Sequence, residues 1–199
     1  MRIKALVVGL FLAATAGSAC AAGPYLGVSG GVSIFHNADM KVSGFSGTAT
    51  TNYNSGYGFG ANAGYNFDPV RLEFEFGYRK ADVDHLSGPG GSLSVDDTNL
   101  KVMSYLVNGY YDIKTGTIFT PYVGAGLGVL DGELQVQGTK YDDTAFGYQV
   151  AVGTTIAVDK NIALDFSYKF QGAGSDFSKD GVSLSYLNSS FSGGFRYSF

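Results

Sequence analysis

The chain ends in Phe191-Ser-Gly-Gly-Phe195-Arg-Tyr197-Ser-Phe199, where Phe191, Phe195, Tyr197 and Phe199 share one face. Ser192, Gly194, Arg196 and Ser198 share the other. Alternation at period two marks a β-strand with one apolar and one polar side. One such strand would suit a soluble sandwich as well as a membrane wall. The pattern, however, recurs along the whole chain.

Eight segments carry it. Tyr25 to Phe35 sets Leu26, Val28, Val32 and Ile34 against Gly27, Ser29, Gly31 and Ser33. Gly56 to Phe67 sets Tyr57, Phe59, Ala61, Ala63, Tyr65 and Phe67 against Gly and Asn, and Val70 to Lys80 sets Val70, Leu72, Phe74, Phe76 and Tyr78 against Arg71, Glu73, Glu75, Gly77 and Arg79. The fourth, about Leu100 to Ile113, is the least clean; its better register puts Met103, Tyr105, Val107, Tyr111 and Ile113 outside and Ser104, Asn108, Tyr110 and Asp112 inside. Ile118 to Leu130, Ala145 to Val158, Ile162 to Gln171 and Val182 to Phe199 complete the set. Each has the ~10 residues a tilted strand needs to cross an outer membrane.

The connections alternate in length. After the second, fourth and sixth strands come short turns, Asp68-Pro69, Lys114 to Thr117 and Asp159 to Asn161. After the first, third, fifth and seventh come longer polar stretches, within 36–55, 84–99, 131–144 and 172–181. Short turns at one rim and long loops at the other are expected of a barrel with both termini in the periplasm. The fold expected is therefore all-β: an eight-stranded antiparallel transmembrane β-barrel, an up-and-down meander.

The start of the chain supports export. Arg2 and Lys4, the apolar stretch Ala5 to Ala16, and Ala19-Cys20-Ala21-Ala22 form the three parts of a secretory signal. Residues 1–22 are expected to be cleaved, leaving a barrel domain of 23–199, with cleavage after Ala21 nearly as good. Cys20, the single cysteine, would go with the signal; the competing reading is lipidation, against which Gly17 stands where such signals carry a branched aliphatic residue.

Composition narrows the class further. The chain has 30 Gly, 14 Tyr, 15 Phe and only 15% charged residues. After the signal it has no apolar run of the roughly 18 residues a membrane helix needs, so a closed barrel is the remaining way to span a bilayer.

An eight-stranded barrel has an interior just wide enough for its own side chains. The inward set includes Arg71, Glu73, Glu75, Arg79, Asp112, Asp165, Lys169 and Arg196, with Asn62 and Gln149. Confined opposite charges should pair, which reads as a salt-bridged plug serving stability. The alternative is a narrow ion-conducting channel through gaps left by inward glycines.

Other candidate chemistry is thin. The loops are acidic, with Asp39, Asp82, Asp96, Asp142 and Asp176 among them, but no spacing fits a calcium loop, so no metal site and no cofactor are expected. Gly124-Ala-Gly126-Leu-Gly128 lacks the third glycine of a phosphate loop and opens no helix. His85-Leu-Ser87 is similar to the His-x-Ser pair of outer-membrane lipid A deacylases, but falls where a loop is expected rather than a strand, and His36 has only Asp39 nearby. No catalytic residue is assigned. No nucleic-acid partner is expected at a net charge of −4.

With these residues in view, the chain resembles the bacterial small outer-membrane β-barrel family of opacity-type surface antigens, outer membrane protein X and the transmembrane domain of outer membrane protein A. The matching stretches are Pro24-Tyr-Leu-Gly-Val28, Asn108-Gly-Tyr-Tyr-Asp112, Thr120-Pro-Tyr-Val-Gly-Ala-Gly-Leu-Gly128, Phe146-Gly-Tyr-Gln-Val150 and Phe195-Arg-Tyr-Ser-Phe199. The resemblance implies outer-membrane location, lipid and lipopolysaccharide neighbours, and a barrel-assembly machinery that reads Phe195, Tyr197 and Phe199. It also implies surface contact with a host or cell-surface ligand. With no wall-binding domain expected after Phe199, it does not imply a wall-tethering role. Three functional classes stay open, in this order: a non-enzymatic surface barrel, a small porin, and a lipid-modifying enzyme.

Overall fold

A computed structural model describes residues 22–35, 38–42, 49–53, 55–88, 91–94, 99–136, 139–174, 177–179, 182–184 and 186–199. The signal segment, except Ala22, lies outside these residues.

Eight long strands build the wall: β1 (Gly23–Phe35), β2 (Ser55–Asn66), β3 (Val70–Gly88), β4 (Asn99–Asp112), β5 (Phe119–Val136), β6 (Thr139–Ala157), β7 (Ile162–Ala173) and β8 (Leu187–Ser198). Each pairs antiparallel with its neighbour in the chain. β8 then pairs with β1 from Tyr25↔Ser198 to Phe35↔Asn188, which closes the barrel and abolishes its edges.

The strands are staggered. A line of paired residues leaving Tyr25 passes Gly64, Glu73, Asn108, Gly126, Gln149, Gln171 and Asn188, then returns to β1 at Phe35. The return is ten residues higher (35 minus 25). For eight strands that shear tilts the wall by about 40°.

The two faces invert the usual order of burial. Val28, Phe59, Leu127 and Phe195 are 59%, 61%, 58% and 63% exposed, while Arg71, Gln149 and Gln171 are 1%, 1% and 0% exposed. Such an arrangement is stable only with hydrocarbon outside and polar partners inside.

Two of the short turns are tied to each other, and the third to the end of β8. In the β2–β3 turn, Asp68 takes a left-handed φ of 44°, which aspartate tolerates. Its N–H donates to Asn66 Oδ1 at 2.8 Å, and Lys114 Nζ of the β4–β5 turn reaches Asp68 Oδ2 at 2.7 Å. At the β6–β7 turn, Asn161 Nδ2 donates to Ser198 O at 2.7 Å.

At the opposite rim the expected loops are largely strand. β3 continues past Lys80 to Gly88, and β5 and β6 form one hairpin paired from Asp131↔Thr144 to Val136↔Thr139. Polarity made these stretches read as loops. In these stretches the sequence lacks apolar–polar alternation, so the signal disappears while the backbone ladder continues. The backbone around His85-Leu-Ser87 is accordingly strand, not loop; the side chains there lie outside the described ones, as do those of His36, Asp39, Asp82, Asp96 and Asp176.

The stretch expected to open β8 is also corrected. Val182–Leu184 leaves the wall and pairs with Ala38–Val42, while β8 starts at Leu187. A rim sheet runs Phe177–Lys179, Val182–Leu184, Ala38–Val42, Ala49–Tyr53, the end of β3, and Gly91–Ser94.

Candidate functional site

Charged inward positions on four strands, β3, β4, β7 and β8, converge in the lumen. Arg71, Glu73, Glu75, Arg79, Asp112, Lys169 and Arg196 are buried there, and Asp165 is half-buried. Strict alternation on β3 is what supplies four of them from a single strand.

At the periplasmic end, Arg71 Nε donates to Asp112 Oδ2 at 2.8 Å and Oδ1 at 2.9 Å. The guanidinium lies 4.7 Å from the Tyr110 ring centre and 4.8 Å from that of Tyr122, so aromatic faces replace the water it has lost. Tyr25 Oη donates to Glu73 Oε2 at 2.9 Å. Beside it, Asp165 accepts from Arg196 Nη2 at 2.8 Å, Tyr122 Oη at 2.7 Å and Thr155 Oγ1 at 3.2 Å.

Halfway up, one carboxylate oxygen gathers three donors. Glu75 Oε2 accepts from Lys169 Nζ at 2.8 Å, Asn108 Nδ2 at 3.1 Å and Gln149 Nε2 at 3.2 Å. The chain of bonds climbs from Gln149 through Gln171 to Tyr186 Oη. The glycines opposite make room for it: a Cβ on Gly126 would collide with the Asn108 amide, and one on Gly124 with the Tyr110 ring.

Higher still the lumen turns apolar. Phe35, Ala81, Val102, Leu130 and Tyr186 form a buried cluster, with Phe35 and Tyr186 edge to face at 6.0 Å. Arg79 Nη1 donates to Ser104 Oγ at 3.1 Å. Below the cluster, two small, partly open cavities measure about 20 Å³ and 30 Å³, room for one or two waters each. Arg71 Nη2 and Asn62 Oδ1, two buried atoms without a hydrogen-bond partner, belong to residues lining the smaller one.

Sequence reasoning missed two features here. Tyr25 opens the first segment facing inward, but an aromatic there was not counted with the polar set. The apolar cluster has no counterpart in the inward set read from the sequence, which holds polar and charged residues; the parity of Val102, Leu130 and Phe35 with Ser104, Gly128 and Ser33 is the signal that places them inward.

Phe195 and Tyr197 face outward, and the Tyr197 and Phe199 rings meet edge to face at 5.2 Å. Phe199 N–H donates to Pro24 O at 3.1 Å, so the last residue sits at the seam where the barrel closes.

A closed barrel with aromatic residues outside and ion pairs inside defines a transmembrane barrel of the bacterial outer membrane. The chain belongs to the outer membrane protein beta-barrel domain family, which matches residues 4–199. It is 32% identical over 139 residues to outer membrane protein PagN of Salmonella typhimurium, covering 59% of this chain and 58% of PagN. The match thus spans less than two thirds of that relative. A Rickettsia conorii protein given as a candidate adhesin, RC1281, is 26% identical over 172 residues, covering 75% of this chain and 68% of its own. Among solved structures, Neisserial surface protein A has the same fold, with a TM-score of 0.62 at 20% identity, covering 90% of this chain and 99% of its own.

Proposed function

We propose that the protein is a non-enzymatic surface barrel whose lumen is a structural plug and whose extracellular rim contacts a host or cell-surface ligand. The observation that carries this reading is the closure of the lumen. Glu75 is bonded by donors from three other strands, and an apolar cluster lies above it. Buried acids and bases engaged with one another are poorly placed to act on a substrate. The rim, by contrast, extends the strands beyond the membrane, and a rigid ladder suits recognition by surface. The adhesin description of RC1281 supports the same direction.

Its other partners in this reading are the outer-membrane lipids, lipopolysaccharide included, and the barrel-assembly machinery during biogenesis. Residues 1–22 direct export and are removed.

The test pairs attachment with conductance. Cells displaying the protein should bind host-cell surfaces, and a variant lacking residues 133–142 should lose that binding while retaining heat-modifiable gel mobility. Attachment unchanged in the shortened variant would refute the rim. Stable unitary currents from refolded wild-type protein in planar bilayers would replace the plug with a narrow pore.

A further inference from the structure

Of the buried cations in the lumen, Arg71, Lys169 and Arg196 each face a carboxylate. Arg71 is paired with Asp112, Lys169 with Glu75 and Arg196 with Asp165, each at 2.8 Å. Arg79 is the exception: among the described residues, no carboxylate comes within ion-pair distance of it. It is 5% exposed, and its Nη1 donates to the neutral Ser104 Oγ. A buried charge without a counter-charge is costly. In the tally of lumen charges its counterpart is Glu73, but Glu73 lies six residues down the same strand (79 minus 73). That is roughly 20 Å along β3, and Glu73 is engaged there by Tyr25.

Arg79 lines the larger of the two small cavities, about 30 Å³ in volume. Lys169 and Glu75 line it too, with the hydroxyl-bearing Ser29, Ser190 and Ser192. Glu75 Oε2 is already taken up by Lys169, Asn108 and Gln149. Two bases against one acid leave the cavity lining with a formal charge of +1. Glycines keep the space open around the guanidinium: a Cβ on Gly77 would stand 3.0 Å from Arg79 Nη1, and one on Gly58 3.2 Å from Arg79 Cγ.

We propose that this cavity binds a small inorganic anion, a halide such as chloride, as the counter-ion of Arg79. A guanidinium presents several N–H donors in a fixed fork, and the Lys169 ammonium and the serine hydroxyls add more. An anion accepts from all of them, whereas a water leaves the charge of Arg79 unanswered. The volume admits a monatomic ion in place of water and shuts out a bulky organic anion. Because the cavity is partly open, the ion exchanges without unfolding of the barrel. The site belongs to the plugged lumen proposed above and rests on that reading.

Urea unfolding of the full-length mature protein in phosphatidylcholine vesicles, at constant ionic strength, compares chloride with the bulkier gluconate. For wild type the unfolding equilibrium constant should be roughly tenfold smaller in about 0.2 M chloride, as a Kd of about 20 mM requires. Arg79→Met should show no difference between the two salts. Arg79→Lys, which keeps the charge, should retain it, and Lys114→Gln, in a periplasmic turn, should match wild type. Crystals grown in bromide should show anomalous density beside Arg79. Equal stability of wild type in the two salts overturns the site, and bromide density without a stability difference marks an adventitious ion only. A chloride effect that persists in Arg79→Met also overturns it, since the ion then binds elsewhere. Heat-modifiable mobility identifies the variants that fold; should Arg79→Met not fold, the wild-type salt comparison and the bromide density decide. Unitary currents in planar bilayers would overturn the plug, whereas silent bilayers with no chloride effect would overturn the anion site alone.

Discussion

Lys169 reaches Glu75 across the full width of the lumen, Nζ to Oε2 at 2.8 Å. The two residues stand on β7 and β3, which lie opposite each other in the ring of eight strands. The ion pair thus braces the barrel across its diameter, and Asn108 and Gln149 tie the same oxygen to β4 and β6.

Removing one end of that brace should be costly. Glu75→Ala strands a buried ammonium, with an expected loss of about 3–5 kcal/mol where water stays out. Replacing both ends, as Glu75→Leu/Lys169→Met, should cost less than either single change. Urea unfolding in lipid vesicles gives the comparison. Single variants as stable as wild type but with altered conductance would make these residues pore-lining.

Packing around the brace can be probed without touching a charge. Gly126→Val pushes into the Asn108 amide and the β4 backbone, and should cost about 1–3 kcal/mol by overcrowding. Gly109→Ala, where an added Cβ meets nothing within 4 Å, should be close to neutral in the same assay. Equal losses at both sites would show that strand propensity, not lumen packing, sets the cost.

Topology follows from which rim holds the long strands. Cys20 is the chain's one cysteine, so a cysteine introduced into the mature barrel reports alone. Asp142→Cys should react with a membrane-impermeant maleimide on intact cells, and Lys160→Cys only after the outer membrane is opened. The reverse pattern would invert the barrel.

Deleting Phe199 should lower the amount of folded protein in the outer membrane and send the remainder to periplasmic degradation. The deletion removes both the terminal aromatic and its hydrogen bond to Pro24 at the β1–β8 seam. Unchanged levels with unchanged heat-modifiable mobility would show that Tyr197 and Phe195 suffice.

Much of the wall was legible in the chain because each strand has lipid on one side and lumen on the other, so parity alone assigns a face. Even the weak fourth segment follows: Met103, Tyr105, Val107 and Tyr111 face out, while Ser104, Asn108 and Asp112 are buried. Above the lipid that contrast vanishes, and the pairing of Asp131 with Thr144 or of Lys41 with Ser183 leaves no mark in hydropathy.

By itself, then, the sequence determined the strand number, the membrane-facing surface and the charged inward set, because these depend on local alternation and on the cost of charge in hydrocarbon. Only the tertiary structure decided which of those charges meet. The stagger that carries Tyr25 around to Phe35 sets the height of every inward residue relative to the strand opposite. Glu75 finds Lys169 rather than Arg196 because closure at that shear brings Glu75 of β3 and Lys169 of β7 to the same level, and no local pattern encodes a ring's circumference.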